Sequence, residues 1–313
     1  MLYSKAVREA GIITIMNKPL IIGSVHTDLI AHVNHLPKGN EEMESGEVRQ
    51  SIGGTGYMAA YTFQGFGFEY ELIAPNGTGA YGEYADQECE KQSIPLKCRS
   101  DEVSGCTYRM IDPENNQSVL VAPGCEYDFD IRYTDDLYPK EISCVLVYSE
   151  MLAGTGTDDL LETLEDLNKP IYLVIGSDIE DWSEATLKHV YDLHPQVILE
   201  DTTAFFLLHE EYTDIKNAAE ALQKLTSAPV SIVKEGVGVC VADGEENYIA
   251  PEKEKMNIVL QSAGYVLALN AGVDKKNAVM FANHLSSMTN GEMMDDYDFE
   301  EQKRRLAGII LHK

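Results

Sequence analysis

At 313 residues the chain is long enough to bury a large core, either as one α/β domain or as a domain with an appendage. Apolar residues make up 44% and charged residues 24%, which is ordinary for a globular protein. The net charge of -28 is not ordinary: it argues against nucleic acid and anionic membrane as partners, and it disfavours a polyanionic ligand unless amide or basic groups gather at its site.

No run approaches a membrane span, and the start of the chain lacks the apolar core and small-residue cleavage site of a signal peptide, so a cytoplasmic protein is expected. Six cysteines, at 89, 98, 106, 125, 144 and 240, form no C-x-x-C pair and are expected to be reduced and structural.

Residues 1–19, which include a second methionine, Met16, are expected to be an N-terminal extension, with the α/β domain over 20–313. The first strand, 20–28, is apolar and ends on the polar His26 and Asp28. A turn at 35–40 is flanked by short strands near 31–33 and 47–51. Next comes Gly53-Gly54-Thr55-Gly56, opening a buried helix over 56–66 that Gly65 and Gly67 end. A strand at 70–74, a helix at 82–92 and the start of a strand at 96–97 complete an α/β order. Residues 106–111 and 118–121 flank the turn 112–116 as a hairpin, which with the strands near 31–50 suggests a small β appendage. The remainder alternates strands (145–148, 171–175, 197–199, 230–233) with helices (159–167, 182–193, 215–225).

Several stretches carry two readings. The amides of Gly53 and Gly54 can sit against sugar hydroxyls or a phosphate at a helix start, or the glycines can serve a tight turn with no ligand. Residues 77–82 match G-x-G-x-x-G, but follow a later strand than a dinucleotide fingerprint does, so a dinucleotide enzyme ranks below the other readings. His26 reads more readily as a satisfied strand-end histidine, and Lys234 beside Glu235 as a surface pair. Asp201 reads as a helix cap or a metal ligand through water. Tyr265 and Phe281 read as core, and the pairs Asp158-Asp159 and Asp295-Asp296 as solvated faces.

Over roughly residues 20–290 the chain resembles the ribokinase-like (PfkB) family of carbohydrate and nucleoside kinases. The carriers are Gly23-Ser24 followed by Asp28 and Gly53-Gly54-Thr55-Gly56 followed by Ala59-Ala60, together with the order of elements. The resemblance implies a three-layer α/β sandwich with a mostly parallel central sheet. It also implies a small β-sheet lid from about 31–50 and 106–121, which often pairs subunits, so that a homodimer is expected. Asp28, His26, Gly53, Gly54 and Glu150 become expected contacts of a sugar or nucleoside, although Met58 stands where the family has Asn.

The family's catalytic motifs are degenerate here. Its D-T-x-G-A-G-D falls on 257–263, so the catalytic base position is Ala263 and the anion hole becomes Leu260, Gln261 and Ser262. Its N-x-x-E, which orders magnesium, falls on 201–204 and ends in Ala204. Its nucleotide-region T-x-G falls on Val233, Lys234 and Glu235, with Gly236 and Gly238 restoring only part of the glycine pattern. The expectation is a homologue that keeps a carbohydrate pocket with weak or absent transfer from ATP and magnesium. The alternative is an active carbohydrate or nucleoside kinase with an unconventional base.

Overall fold

The computed structural model describes residues 18–114, 116–209, 214–244, 246–288 and 297–311. All but two residues of the expected N-terminal extension lie outside that set, as do Asp295 and Asp296. Lys18 and Pro19 already belong to strand β1 (Lys18–Ile22).

Beyond Ile22, the single strand expected over 20–28 breaks in two. Residues 23–25 leave the sheet, and β2 (His26–His32) joins a separate sheet with β3 (Val48–Gly53). The cause is steric. A Cβ on Gly23 would lie 2.6 Å from Thr55 Oγ1 and 2.8 Å from Gly56 N, so the chain passes directly against the start of helix α1 (Thr55–Phe66). His26 and Asp28 therefore sit on a strand of the accessory sheet rather than closing β1.

Strand β4 (Glu71–Ile73) returns alongside β1, while β5 (Asn76–Thr78) and β6 (Arg99–Val103) form a two-stranded parallel pair joined through helix α2 (Gly79–Lys91). The strand expected to begin at 96–97 thus starts later, at Arg99. The G-x-G-x-x-G stretch opens α2 from this small pair and not from the central sheet. The hairpin forms as β7 (Cys106–Ile111) and β8 (Gln117–Ala122), giving an accessory sheet of order β3-β2-β7-β8.

In the second half, β9 (Ile142–Tyr148), α3 (Thr157–Leu167), β10 (Ile171–Ile175), α4 (Glu184–Asp192), β11 (Gln196–Glu200), α5 (Asp201–Leu207), α6 (Ile215–Thr226) and β12 (Val230–Lys234) follow in turn. Strands β13 (Gly238–Ala242) and β14 (Asn247–Pro251) and helices α7 (Ile258–Asn270), α8 (Lys275–Ser287) and α9 (Phe299–Leu311) complete the described chain. The central sheet runs β14-β13-β12-β11-β10-β9-β1-β4, parallel from β12 to β4 and antiparallel at the β13-β14 edge.

Parallel strands covered on both faces read as unbroken apolar runs, as β9 and β10 do. Their alternate side chains divide two cores. Ile21, Leu146, Tyr148 and Tyr172 pack with α1, α7 and α8, which include the buried Tyr265 and Phe281. Ile22, Val145, Val147 and Leu173 pack with α3, α4 and α6. The result is a three-layer sandwich with a smaller accessory sheet. All six cysteines are buried and unpaired. Among the described residues no helix is long and apolar enough to cross a membrane.

The junction of β3 and α1 is one of the tight places in this framework. Gly54 has φ 104° and ψ 152°, a region open essentially to glycine, and a Cβ on it would lie 2.3 Å from Ser24 O. Gly236, at φ +72°, has nothing within 4 Å of such a Cβ. We expect Gly54→Ala to lower the unfolding free energy by about 3 kcal/mol or more, and Gly236→Ala by only about 1 kcal/mol, in urea titrations with unchanged slope.

Candidate functional site

Strand β1 lies between β4, which follows it in the chain, and β9, reached only after the accessory sheet. In open α/β sheets the crevice outside the carboxyl ends of the strands at such a reversal is where ligands bind. The segments that meet there are residues 23–25, the start of α1, the turn Ser149–Leu152 after β9 and the turn Ser177–Asp181 after β10.

Glu150 ties the first three together. Its Oε1 accepts from the Thr55 hydroxyl, from Ser24 Oγ at 3.1 Å and from Ser24 N at 3.4 Å. Burial raises the pKa of this carboxyl, the Thr55 hydrogen bond offsets part of the rise, and the nearby charge of Asp178 adds to it. Asp178 is raised as well, again chiefly by burial. Ser149 Oγ donates to Asp178 Oδ1 at 2.7 Å while accepting from Gly176 N at 2.8 Å, so the turns after β9 and β10 are locked to each other. Burial pushes the Tyr127 phenol upward, and the charges of Glu126, Glu150, Asp28 and Asp178 push it further.

From the accessory sheet, Asp28 reaches the same region. It is 8% exposed, with Oδ1 3.3 Å from His26 Nε2 and Oδ2 3.8 Å from Arg109 Nη2. Asp28 Oδ1 and His26 Nδ1 are buried without a hydrogen bond. The two glycines have packing reasons of their own. A Cβ on Gly53 would lie 2.4 Å from Asp28 Oδ2, and the one on Gly54 would strike Ser24 O. That carbonyl also accepts from Gly56 N at 2.9 Å and Tyr57 N at 3.2 Å, so these first amides of α1 are satisfied by the chain itself.

The stretch 257–263, expected from the resemblance to carry a degenerate catalytic motif, opens α7. Asn257 caps the helix: its Oδ1 accepts from Val259 N at 2.9 Å and Leu260 N at 3.2 Å, and its backbone oxygen accepts from Gln261 N at 2.9 Å. Leu260, Gln261, Ser262 and Ala263 are all buried, Ala263 completely. Tyr148, the fully buried last residue of β9, brings its hydroxyl to 3.2 Å from Ser262 Oγ and 3.4 Å from Val259 O.

The residues expected in a nucleotide region lie elsewhere on the sheet. Lys234 Nζ is 2.6 Å from Asp201 Oδ2 and 5.7 Å from the centre of the Phe205 ring. Lys234 thus pairs with Asp201 and not with Glu235. Glu235 and Gly236 are exposed in the turn that joins β12 to β13. The structure therefore brings together Asp28, His26, Gly53, Gly54 and Glu150 in one place, and Asp201 with Lys234 in another. Sequence reasoning missed Asp178, Ser149, Tyr127, Tyr148 and Asn257. Asn257 carried a signal, an Asn directly before an apolar helical run, and Ser149 and Asp178 follow the ends of parallel strands. Tyr127 carried none.

This arrangement of sheets is that of the ribokinase-like carbohydrate and nucleoside kinases, the fold the chain has. A ribokinase from Thermotoga maritima matches with a TM-score of 0.77 at 17% identity, over 93% of this chain and 99% of that one. A ribokinase from Giardia lamblia gives 0.75 at 12% identity over 95% and 99%. A nucleoside kinase from Burkholderia thailandensis, solved in complex with inosine, gives 0.73 at 16% identity over 93% and 98%. No family model matches the sequence, and no curated protein matches it.

A raised carboxyl pKa has a direct consequence for stability. The folded chain holds the Glu150 proton to higher pH than the unfolded chain, whose group titrates near 4.5, so stability falls as pH rises from about 4.5 through the folded value. Glu150→Gln keeps an acceptor for Ser24 and Thr55 without the charge. We expect its Tm to exceed that of the parent by at least about 2 °C at neutral pH, and the difference to vanish toward pH 4 in calorimetric scans.

Proposed function

We propose that the protein binds a sugar or nucleoside in the crevice around Ser24, Asp28, Glu150 and Asp178 and carries out little or no phosphoryl transfer from ATP. The supporting observation is the start of α7. Transfer of a phosphoryl group needs free amides at a helix N-terminus and a base for the acceptor hydroxyl. Here Val259 N and Leu260 N donate to Asn257, the side chains of Leu260 and Ser262 occupy the space two glycines would leave open, and Ala263 has no proton to take or give.

The residues present do not fit a transferring phosphate at α7. Asp201, the carboxylate considered for magnesium, is already paired with Lys234. The second reading, an active kinase with an unconventional base, draws on Glu150 and Asp178, half-buried carboxyls whose raised pKa values suit a base.

Thermal-shift titration with pentoses, hexoses and nucleosides, with and without ATP-magnesium, separates the two. The expected result is a Tm rise of several degrees with at least one sugar or nucleoside, none with ATP-magnesium, and no phosphorylated product by mass spectrometry. Product formation that is lost in Glu150→Gln or Asp178→Asn would establish the kinase reading instead.

We further propose that the accessory sheet pairs two copies of the chain. Its edge strand β8 exposes Val119, Leu120 and Val121 in succession, and an exposed apolar edge is a template for pairing. Sedimentation velocity is expected to show a dimer for the parent protein and a monomer for Leu120→Asp.

A further inference from the structure

The accessory sheet has two unlike faces. On one, Thr27 and Tyr108 meet helix α2: the Thr27 hydroxyl donates to Tyr81 O at 3.0 Å, and the Tyr108 and Tyr81 hydroxyls stand 3.3 Å apart. Successive residues of a strand point to opposite faces. The other face therefore carries Asp28 and Ile30 from β2, Arg49 and Ser51 from β3, and Thr107 and Arg109 from β7. It is the face from which Asp28 reaches the crevice, against Gly53.

Register pairs Ile30 with Arg49 on one side and with Arg109 on the other, which sets the two arginines in a single row across β3, β2 and β7. Asp28 stands two residues back along β2, toward the crevice, about 7 Å away at the rise of a strand. Arg109 is half-buried. Its Nη1 donates to the neutral Gln117 Oε1 at 3.2 Å, and its Nη2, 3.8 Å from Asp28 Oδ2, is too far from that carboxylate for a hydrogen bond. Arg49 is exposed. The whole chain carries 52 acidic residues against 24 lysines and arginines. Among the described strand residues of this face the balance is reversed, with two arginines against one aspartate. In so acidic a protein an anion is held only where positive groups gather against the field of the rest.

We infer that the crevice takes a sugar acid, whose carboxylate meets the row of Arg49 and Arg109 while its hydroxyls extend back toward Asp28 and Ser24. This ligand class presupposes the binding role proposed above and specifies it. The planar fork of an arginine matches the two oxygens of a carboxylate. The face has one positive charge in excess, and a sugar acid brings one negative charge. A phosphate monoester brings about two at neutral pH, which leaves one uncompensated in the field of an acidic chain. A neutral sugar makes no use of the row. The distance from the row to Asp28 is close to the length of an extended hexose chain, so one ligand spans both.

The test uses the full chain and ligand pairs matched except for the acid: glucuronate with glucose, galacturonate with galactose, and gluconate with glucitol, with glucose 6-phosphate and ribose 5-phosphate as dianions. Calorimetric titration at pH 7 and low salt is expected to give at least one acid that binds tenfold or more tightly than its neutral partner, and more tightly than either phosphate. Arg109→Gln and Arg49→Gln, with circular dichroism unchanged, are each expected to bring that ratio to threefold or less. Arg49 is exposed, so its variant decides if Arg109→Gln fails to fold. Lys276→Gln removes the same charge beside Tyr248 of β14, at the far edge of the central sheet, and is expected to leave the ratio within twofold of the parent. Neutral members that bind as tightly as the acids would overturn the inference and leave the binding role standing. So would a preference that Lys276→Gln lowers as much as the arginine variants do, since bulk charge would then explain it. Phosphates that bind more tightly than the acids would overturn the choice of a carboxylate. No binding by any member would overturn the inference and the binding role together.

Discussion

Everything at the crevice depends on one close approach of backbone to backbone. Ser24 O lies at the N-terminus of α1, accepting from Gly56 N and Tyr57 N, and glycines at 23, 54 and 56 leave the room this needs. A Cβ at Gly56 would sit 2.6 Å from Gly23 O, so the contact is tight from both sides. Because residues 23–25 join the central sheet to the accessory sheet, this contact fixes where β2 begins. It also fixes where Asp28 stands relative to Glu150.

That dependence explains what the sequence could and could not convey. The central strands were legible because burial on both faces demands apolar runs, and β9, β10 and β12 announce themselves this way. The strand over 20–28 was misjudged for the same reason. Leu20, Ile21, Ile22 and Val25 are all fully buried, and nothing in their apolar character marks the point where the chain changes sheet. That point is set by a steric contact with residues thirty positions later. The site divides similarly. Asp28, Gly53, Gly54 and Glu150 could be named from a resemblance of motifs. The pairing of Lys234 with Asp201, and of Ser149 with Asp178, spans 33 and 29 positions and follows only from neighbouring strand ends.

Two glycine-rich stretches illustrate the limits of local pattern. At 53–56 the glycines admit a carbonyl and a carboxylate of the protein itself. At 77–82 they admit β6: a Cβ on Gly77 would lie 2.2 Å from Glu102 O, and Ser104 Oγ accepts from Gly77 N at 2.8 Å. Both patterns are explained by packing before any ligand is considered. Among the described acids of the crevice, Asp28 Oδ1, 3.3 Å from His26 Nε2, and Asp178 Oδ2 are buried without a hydrogen bond.

The Tyr148 side chain makes this arrangement resistant to single changes. It fills the core beneath α7 and meets Ser262 and the Val259 carbonyl, beside a wholly buried Ala263. An aspartate at 263 alone would set an unpaired charge in the closed interior, a cost of several kcal/mol, before any new chemistry could repay it. Glycine at 260 or 262 alone would leave a cavity and a weaker helix. Each single step toward the kinase motif therefore goes downhill in stability. The closed α7 behaves as a ratchet: it resists single substitutions of this kind and would yield only to several made at once.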